Sequence, residues 1–101
     1  MERRDRRRVA ALAYDGLCTF EFGIVVEIFG LARPELGVRW YDFEVCSLER
    51  GRLKATGGIR IEAHRGLRTL EQAGTIVIAG WRDADETPPA PLLRALRRAC
   101  G

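Results

Sequence analysis

A chain of 101 residues that is 47% hydrophobic can form one small domain, and this content excludes a mainly disordered protein. The formal charge is +3 at pH 7, and five arginines against two acids within residues 1–8 account for all of it. The rest of the chain is neutral overall, so the charge does not predict a nucleic-acid-binding face on the folded part.

The chain divides into a basic tail, residues 1–8, which we expect to be disordered, and a folded part, residues 9–101. A nucleic-acid-binding arm at residues 3–8 is the alternative interpretation of the tail. The first predicted strand, Val9–Tyr14, is apolar on both faces, which is typical of a central parallel strand covered by helices. Asp15 and Gly16 then end it.

The first helix is predicted over about Phe20–Ala32, because Pro34 cannot continue it and Thr19 can cap its start. Apolar residues recur at helical spacing, and we expect this stripe to face the core. The stripe consists of Phe20, Ile24, Ile28 and Leu31.

Glu21 falls in the first turn of this helix, where the unpaired backbone amides and the macrodipole favour a negative charge. In open α/β sheets, ligands bind at the carboxyl ends of the strands, and this helix begins at such an end. Glu21 is therefore a candidate functional carboxylate, and stabilisation of the helix alone is the other interpretation.

The remaining elements follow from alternation, turn residues and helical spacing. They are an edge strand at Tyr41–Leu48, a hairpin arm turning at 56–58 into 59–62, a short helix at Leu67–Ala73 ended by Gly74, a buried strand at Thr75–Ala79 beside the first, and a last helix from Pro91 with Leu92, Leu93, Leu96 and Ala99 inward.

Three cysteines without CxxC spacing and a single histidine argue against both a disulfide framework and a zinc site. We expect Cys18 and Cys46 to be reduced, small packing residues and His64 to lie at the surface. No cofactor motif occurs, so neither a cofactor nor a metal is expected. No segment is long and apolar enough to span a bilayer or to act as a secretory signal, so we expect a cytoplasmic protein.

Three segments carry a family resemblance: YDGLCTFEFGIVVEIFG, TGG at Thr56–Gly58 and TIVIAGW at Thr75–Trp81. Together they resemble the PfpI-type domain, similar to class I glutamine amidotransferases, at the amino end of FtrA-like AraC-family transcriptional regulators. The resemblance implies a flavodoxin-like, doubly wound, mainly parallel sheet with a short hairpin arm. It also implies that the chain stops before the strand and turn that carry the family's cysteine nucleophile.

The resemblance also assigns pocket residues. It places Glu21 where the superfamily keeps an acid beside that cysteine, and it matches Gly80 and Trp81 to a loop whose backbone amides face the same pocket. Trp81 narrows the pocket, and an apolar ring with an indole donor suits ligand recognition. A cover over the sheet end is the other interpretation of Trp81. No catalytic residue is assigned.

The leading hypothesis is therefore the ligand-sensing and dimerisation part of an AraC-type regulator. It would bind a small effector, form a homodimer, and reach DNA only through a helix-turn-helix domain outside this chain, without membrane contact. The alternative is the amino-terminal part of a stand-alone PfpI-like cysteine hydrolase or hydratase.

Overall fold

A computed structural model of the chain describes residues 5–37 and 40–100. Nine elements follow one another along these residues. They are β1 (Asp5–Leu12), α1 (Thr19–Gly30), a 3₁₀ helix (Pro34–Leu36), β2 (Asp42–Cys46), β3 (Arg52–Lys54), β4 (Arg60–Glu62), α2 (Arg68–Gln72), β5 (Ala73–Val77) and α3 (Ala90–Cys100).

The sheet is parallel, in the order β2-β1-β5. Ala10 of β1 pairs with Glu44 of β2 on one side and with Ile76 of β5 on the other, so β1 is the central strand of the described sheet. β3 and β4 form a separate antiparallel pair, the predicted hairpin arm. The predicted fold class is confirmed: this is a mixed α/β fold with a mainly parallel sheet, and it is compatible with a flavodoxin-like arrangement.

The first strand begins earlier than predicted. Residues 5–8 belong to β1, although their charges led us to assign them to the tail, and residues 1–4 lie outside the described part of the chain. Asp5 pairs with Ala73 of β5, and the register then shifts before Val9. The start at Val9 was wrong because the pairing of Asp5 with β5 and of Arg8 with β2 overrides the low strand propensity of charged residues.

The core-facing side of α1 was also predicted wrongly. Phe22 and Val25 are buried, whereas the expected stripe of Phe20, Ile24, Ile28 and Leu31 is between 44% and 77% exposed. Nearly every position of α1 is apolar, so helical spacing alone does not distinguish one face from another. Packing against the sheet decides which residues are buried.

The start of α1 is held by the hairpin arm. Thr19 does not cap the helix; its Oγ1 donates to the Thr56 carbonyl oxygen at 2.8 Å, and Cys18 occupies the N-cap position, where its side chain makes no capping hydrogen bond. The Leu17 amide donates to the Lys54 carbonyl at 3.0 Å, and the Thr56 amide donates to the Leu17 carbonyl at 3.0 Å. Backbone contacts from the arm therefore fix the entry to the helix.

The helices α2 and α3 pack together, and α2 contacts all three strands of the sheet. Leu70 of α2 is fully buried, and Leu92, Ala95 and Ala99 of α3 are buried with it. The short predicted helix is therefore confirmed, but Gly74 does not end it, because the chain enters β5 directly at Ala73. No helix within residues 5–37 and 40–100 is long and apolar enough to cross a membrane.

Candidate functional site

Two of the loops at the carboxyl ends of the parallel strands meet at Tyr14. This side chain follows β1 and is 2% exposed, and its hydroxyl donates to the Gly80 carbonyl oxygen at 2.6 Å. Its ring lies against that of Trp81, with centroids 4.9 Å apart and planes at 51°. Tyr14 thus joins the end of β1 to the loop that carries Gly80 and Trp81. The sequence analysis did not select this residue.

Gly80 has a backbone conformation that favours glycine. Its φ is +103°, in the region that side chains other than glycine rarely adopt. This conformation lets the chain leave β5 with the Gly80 carbonyl directed at the Tyr14 hydroxyl. A side chain here would strain the backbone through this φ, although no atom lies within 4 Å of the position its Cβ would take.

Trp81 is held on both its edge and its face. The indole Nε1 donates to the Glu86 carbonyl oxygen at 3.1 Å, and the Arg82 guanidinium carbon lies 4.6 Å from the ring centroid. The indole donor therefore has a partner in its own loop, and the ring packs against Tyr14 and Arg82. A role of the indole N–H in ligand recognition stays a prediction.

Arg82 connects the loops that follow all three strands of the parallel sheet. Its NH1 donates to the Asp15 carbonyl oxygen at 2.8 Å and lies 3.4 Å from Glu49 Oε2. Its NH2 lies 2.6 Å from Glu86 Oε2. Asp15 follows β1, Glu49 follows β2, and Arg82 itself follows β5, so one guanidinium spans the whole edge.

Glu49 and Asp15 continue this network to the hairpin arm. The Asp15 amide donates to Glu49 Oε1 at 2.9 Å, and the Lys54 amide donates to Asp15 Oδ1 at 2.9 Å. Sequence analysis missed Tyr14, Glu49 and Arg82. The position of Tyr14 at the end of a buried strand was a usable signal, whereas nothing in the loop after β2 distinguishes Glu49.

Glu21 lies in the first turn of α1, and its side chain is exposed. Burial raises the pKa of Tyr14 above its ordinary 10.0, and the neighbouring Cys18 and Glu21 raise it further. The Tyr14 phenol is therefore neutral at physiological pH. The carboxylate of Glu21 is exposed to solvent and acts on the Tyr14 phenol through its charge.

The three cysteines occupy different environments. Cys46 is fully buried in β2, and burial raises the pKa of its thiol to about 12. Cys18 is half-buried at the start of α1, and Cys100 is exposed. Within residues 5–37 and 40–100, no group of three or more histidine, cysteine or acidic side chains is placed to hold a metal ion.

The ion pair of Arg82 and Glu86 makes stability depend on pH. The hydrogen bond from Arg82 holds the pKa of Glu86 below its ordinary 4.5. A carboxylate whose pKa is lower in the folded than in the unfolded state stabilises the protein at pH values above its unfolded-state pKa. This contribution is lost as the pH falls through the folded-state pKa. We therefore expect the Glu86→Gln variant to lose less stability than the wild type on acidification below about pH 4.5.

Urea unfolding at a series of pH values between about 6 and 3 measures this difference. Asp85→Asn, in the same exposed loop, is the matched control and should keep the wild-type slope. Identical slopes for the Glu86→Gln variant and the wild type would contradict the role of this pair.

No protein-family model matches this chain, and no curated protein matches it. Two solved structures are similar to it at 20% sequence identity. One is a candidate transcriptional regulator from Vibrio parahaemolyticus, with a TM-score of 0.74 over 95% of this chain and 52% of that chain. The other is an AraC family transcriptional regulator from Pseudomonas putida, with a TM-score of 0.66 over 92% of this chain and 57% of that chain. The chain spans about half the length of these proteins, and at this identity the likeness shows a shared fold.

Proposed function

We propose that this chain is the small-molecule-sensing part of an AraC-type transcriptional regulator. The observation that carries the proposal is the contact of Tyr14 with Gly80 and Trp81, because it joins two strand ends at the edge where α/β sheets bind ligands. The likeness to two proteins described as regulators supports a binding role rather than a catalytic one. Such a role would place the protein in the cytoplasm.

The strand-end crevice is the proposed effector site, bordered by Tyr14, Glu21, Gly80 and Trp81. It would combine the exposed carboxylate of Glu21 with the aromatic pair of Tyr14 and Trp81. These groups suit a small ligand that has a hydrogen-bond donor or a cationic group and an apolar body. DNA would be bound by a helix-turn-helix domain outside this chain, and the effector would shift the balance between its conformations.

A homodimer is the second part of the proposal, and an apolar surface on α1 supports it. We define the α1 face as Phe20, Ile24, Ile28 and Leu31, of which Phe20 is 77% exposed. Beside it runs an apolar groove of about 670 Å³, with Gly23 on the helix and Ile61 on the hairpin arm among its lining residues. An exposed apolar surface of this kind is typical of a protein interface.

Charge favours a second copy of this chain as the partner. α1 contains two glutamates and no basic residue, whereas residues 52–62 of the arm contain three basic residues and one acid. An interface with twofold symmetry can set the acidic helix of one copy against the basic arm of the other. An anionic membrane would instead favour lysine or arginine on such a helix.

The effector site can be tested with Trp81 as a reporter. In a Trp40→Phe background Trp81 is the sole tryptophan, so changes in its fluorescence on adding pools of metabolites report binding at the strand ends. We expect a responding metabolite to bind about tenfold or more weakly when Glu21→Gln removes the carboxylate. Fluorescence titration measures this affinity.

Glu35→Gln, at another exposed acid, is the control and should respond like the parent protein. A metabolite that quenches Trp81 equally in the parent protein and in the Glu21→Gln variant would exclude Glu21 from the site. Absence of any response across amine, carboxylate and aromatic pools would contradict the proposed sensing function.

The proposed dimer predicts a concentration-dependent mass in light scattering after gel filtration. Phe20→Glu should weaken association about 10- to 100-fold, because a buried phenylalanine stabilises an interface by about 1.5–3 kcal/mol. Leu36→Glu replaces another exposed apolar residue, which lies on the 3₁₀ helix and is not among the residues of the α1 face, and should leave the mass unchanged. A wild type that is monomeric at every concentration, or equal association of the Phe20→Glu variant, would refute this interface.

A further inference from the structure

A second cleft lies between two segments that follow β2 and β4. We define the β2 cleft by residues 47–51 and 62–67, which enclose about 570 Å³. The Ser47 amide donates to the Arg65 carbonyl oxygen at 2.9 Å, so a backbone hydrogen bond joins the two segments that form the walls. The volume is within the range of small-molecule sites.

Several charged side chains that line the β2 cleft are already neutralised. Glu49 accepts a hydrogen bond from the Asp15 amide and pairs with Arg82, as described for the strand ends. Arg65 lies 3.4 Å from Glu44. The charges of Glu49 and Arg65 are therefore largely compensated by partners within the fold.

The negative charge of Glu62 is compensated by a cross-strand neighbour. It lies directly opposite Arg52 in the antiparallel pairing of β3 with β4, so these two opposite charges share one face of the arm. The lining side chains that remain are Arg50 and His64, both exposed. For these two, the described part of the chain provides no ion-pair partner.

The cleft thus combines the guanidinium of Arg50, the imidazole of His64 and the buried hydroxyl of Ser47. Ser47 is 5% exposed, and its Oγ accepts the Glu49 amide at 3.1 Å, which fixes the hydroxyl oxygen in the wall. Leu48 and Leu67 supply apolar surface beside these groups. A guanidinium can bind both oxygens of a carboxylate or phosphate through parallel hydrogen bonds.

We propose that the β2 cleft is a binding site for a small organic anion, with Arg50 as the main contact to its carboxylate or phosphate group and His64 as a second donor. The site is distinct from the strand-end crevice of Tyr14 and Trp81, and it does not depend on the proposed sensing function. The apolar walls would contact the carbon skeleton of the ligand.

The test is a titration of the full ¹⁵N-labelled chain with inorganic phosphate and, separately, with citrate, at constant ionic strength. We expect saturable amide shifts concentrated in residues 47–51 and 62–67 with at least one of the two probes. Arg50→Gln should weaken the apparent affinity about tenfold, and His64→Gln should weaken it less. Arg94→Gln, at an exposed arginine of α3, is the matched control and should bind like the wild type.

The proposal is overturned by shifts that do not saturate with either probe, by shifts distributed over the exposed arginines rather than the cleft, or by undiminished binding by the Arg50→Gln variant. Glu49 of the cleft contacts Trp81 through Arg82, so the two sites are distinguished by where the shifts are largest: in residues 47–51 and 62–67 for the β2 cleft, or at the Trp81 indole for the strand-end crevice. Shifts confined to Trp81 would refute the β2 cleft while leaving the proposed sensing function intact.

Discussion

The Arg82 guanidinium is the contact on which the arrangement of the strand ends depends. It reaches the backbone after β1, Glu49 after β2 and Glu86 in its own loop, and it lies over the ring of Trp81. Side-chain and backbone groups of three loops are satisfied by one planar cation, which is the use for which arginine is better suited than lysine. Because the loops are held in this way, Tyr14 and Gly80 can meet at the carboxyl ends of the strands.

The strand ends and the outer surface of α1 would serve different purposes in the proposed regulator. The strand ends carry polar and aromatic groups, whereas the α1 face carries large, exposed apolar side chains. In this proposal, the first turn of α1, with Glu21 and Phe20, would belong to both regions. A ligand at the crevice would therefore bind beside the interface, which is the kind of proximity that lets an effector favour one assembly over another.

The sequence was sufficient for the element order and for the parallel pairing around the first strand, because short apolar runs bounded by glycine and polar turns are informative. It was insufficient where a local pattern was degenerate. α1 is apolar at almost every position, so the stripe from Phe20 to Leu31 and the buried set of Phe22 and Val25 were equally consistent with helical spacing. The contacts of Arg82 join residues up to 67 positions apart, and no local pattern encodes them.

We propose that Glu21 and Tyr14 belong to one electrostatic site at the strand ends. The most direct measurement is the titration of the Tyr14 phenol by NMR in the wild type and in the Glu21→Gln and Glu27→Gln variants. The account predicts a Tyr14 pKa above 10.0 that falls when Glu21 is neutralised and is unchanged when Glu27, farther along the same helix, is neutralised. A Tyr14 pKa that does not respond to Glu21→Gln would contradict the account.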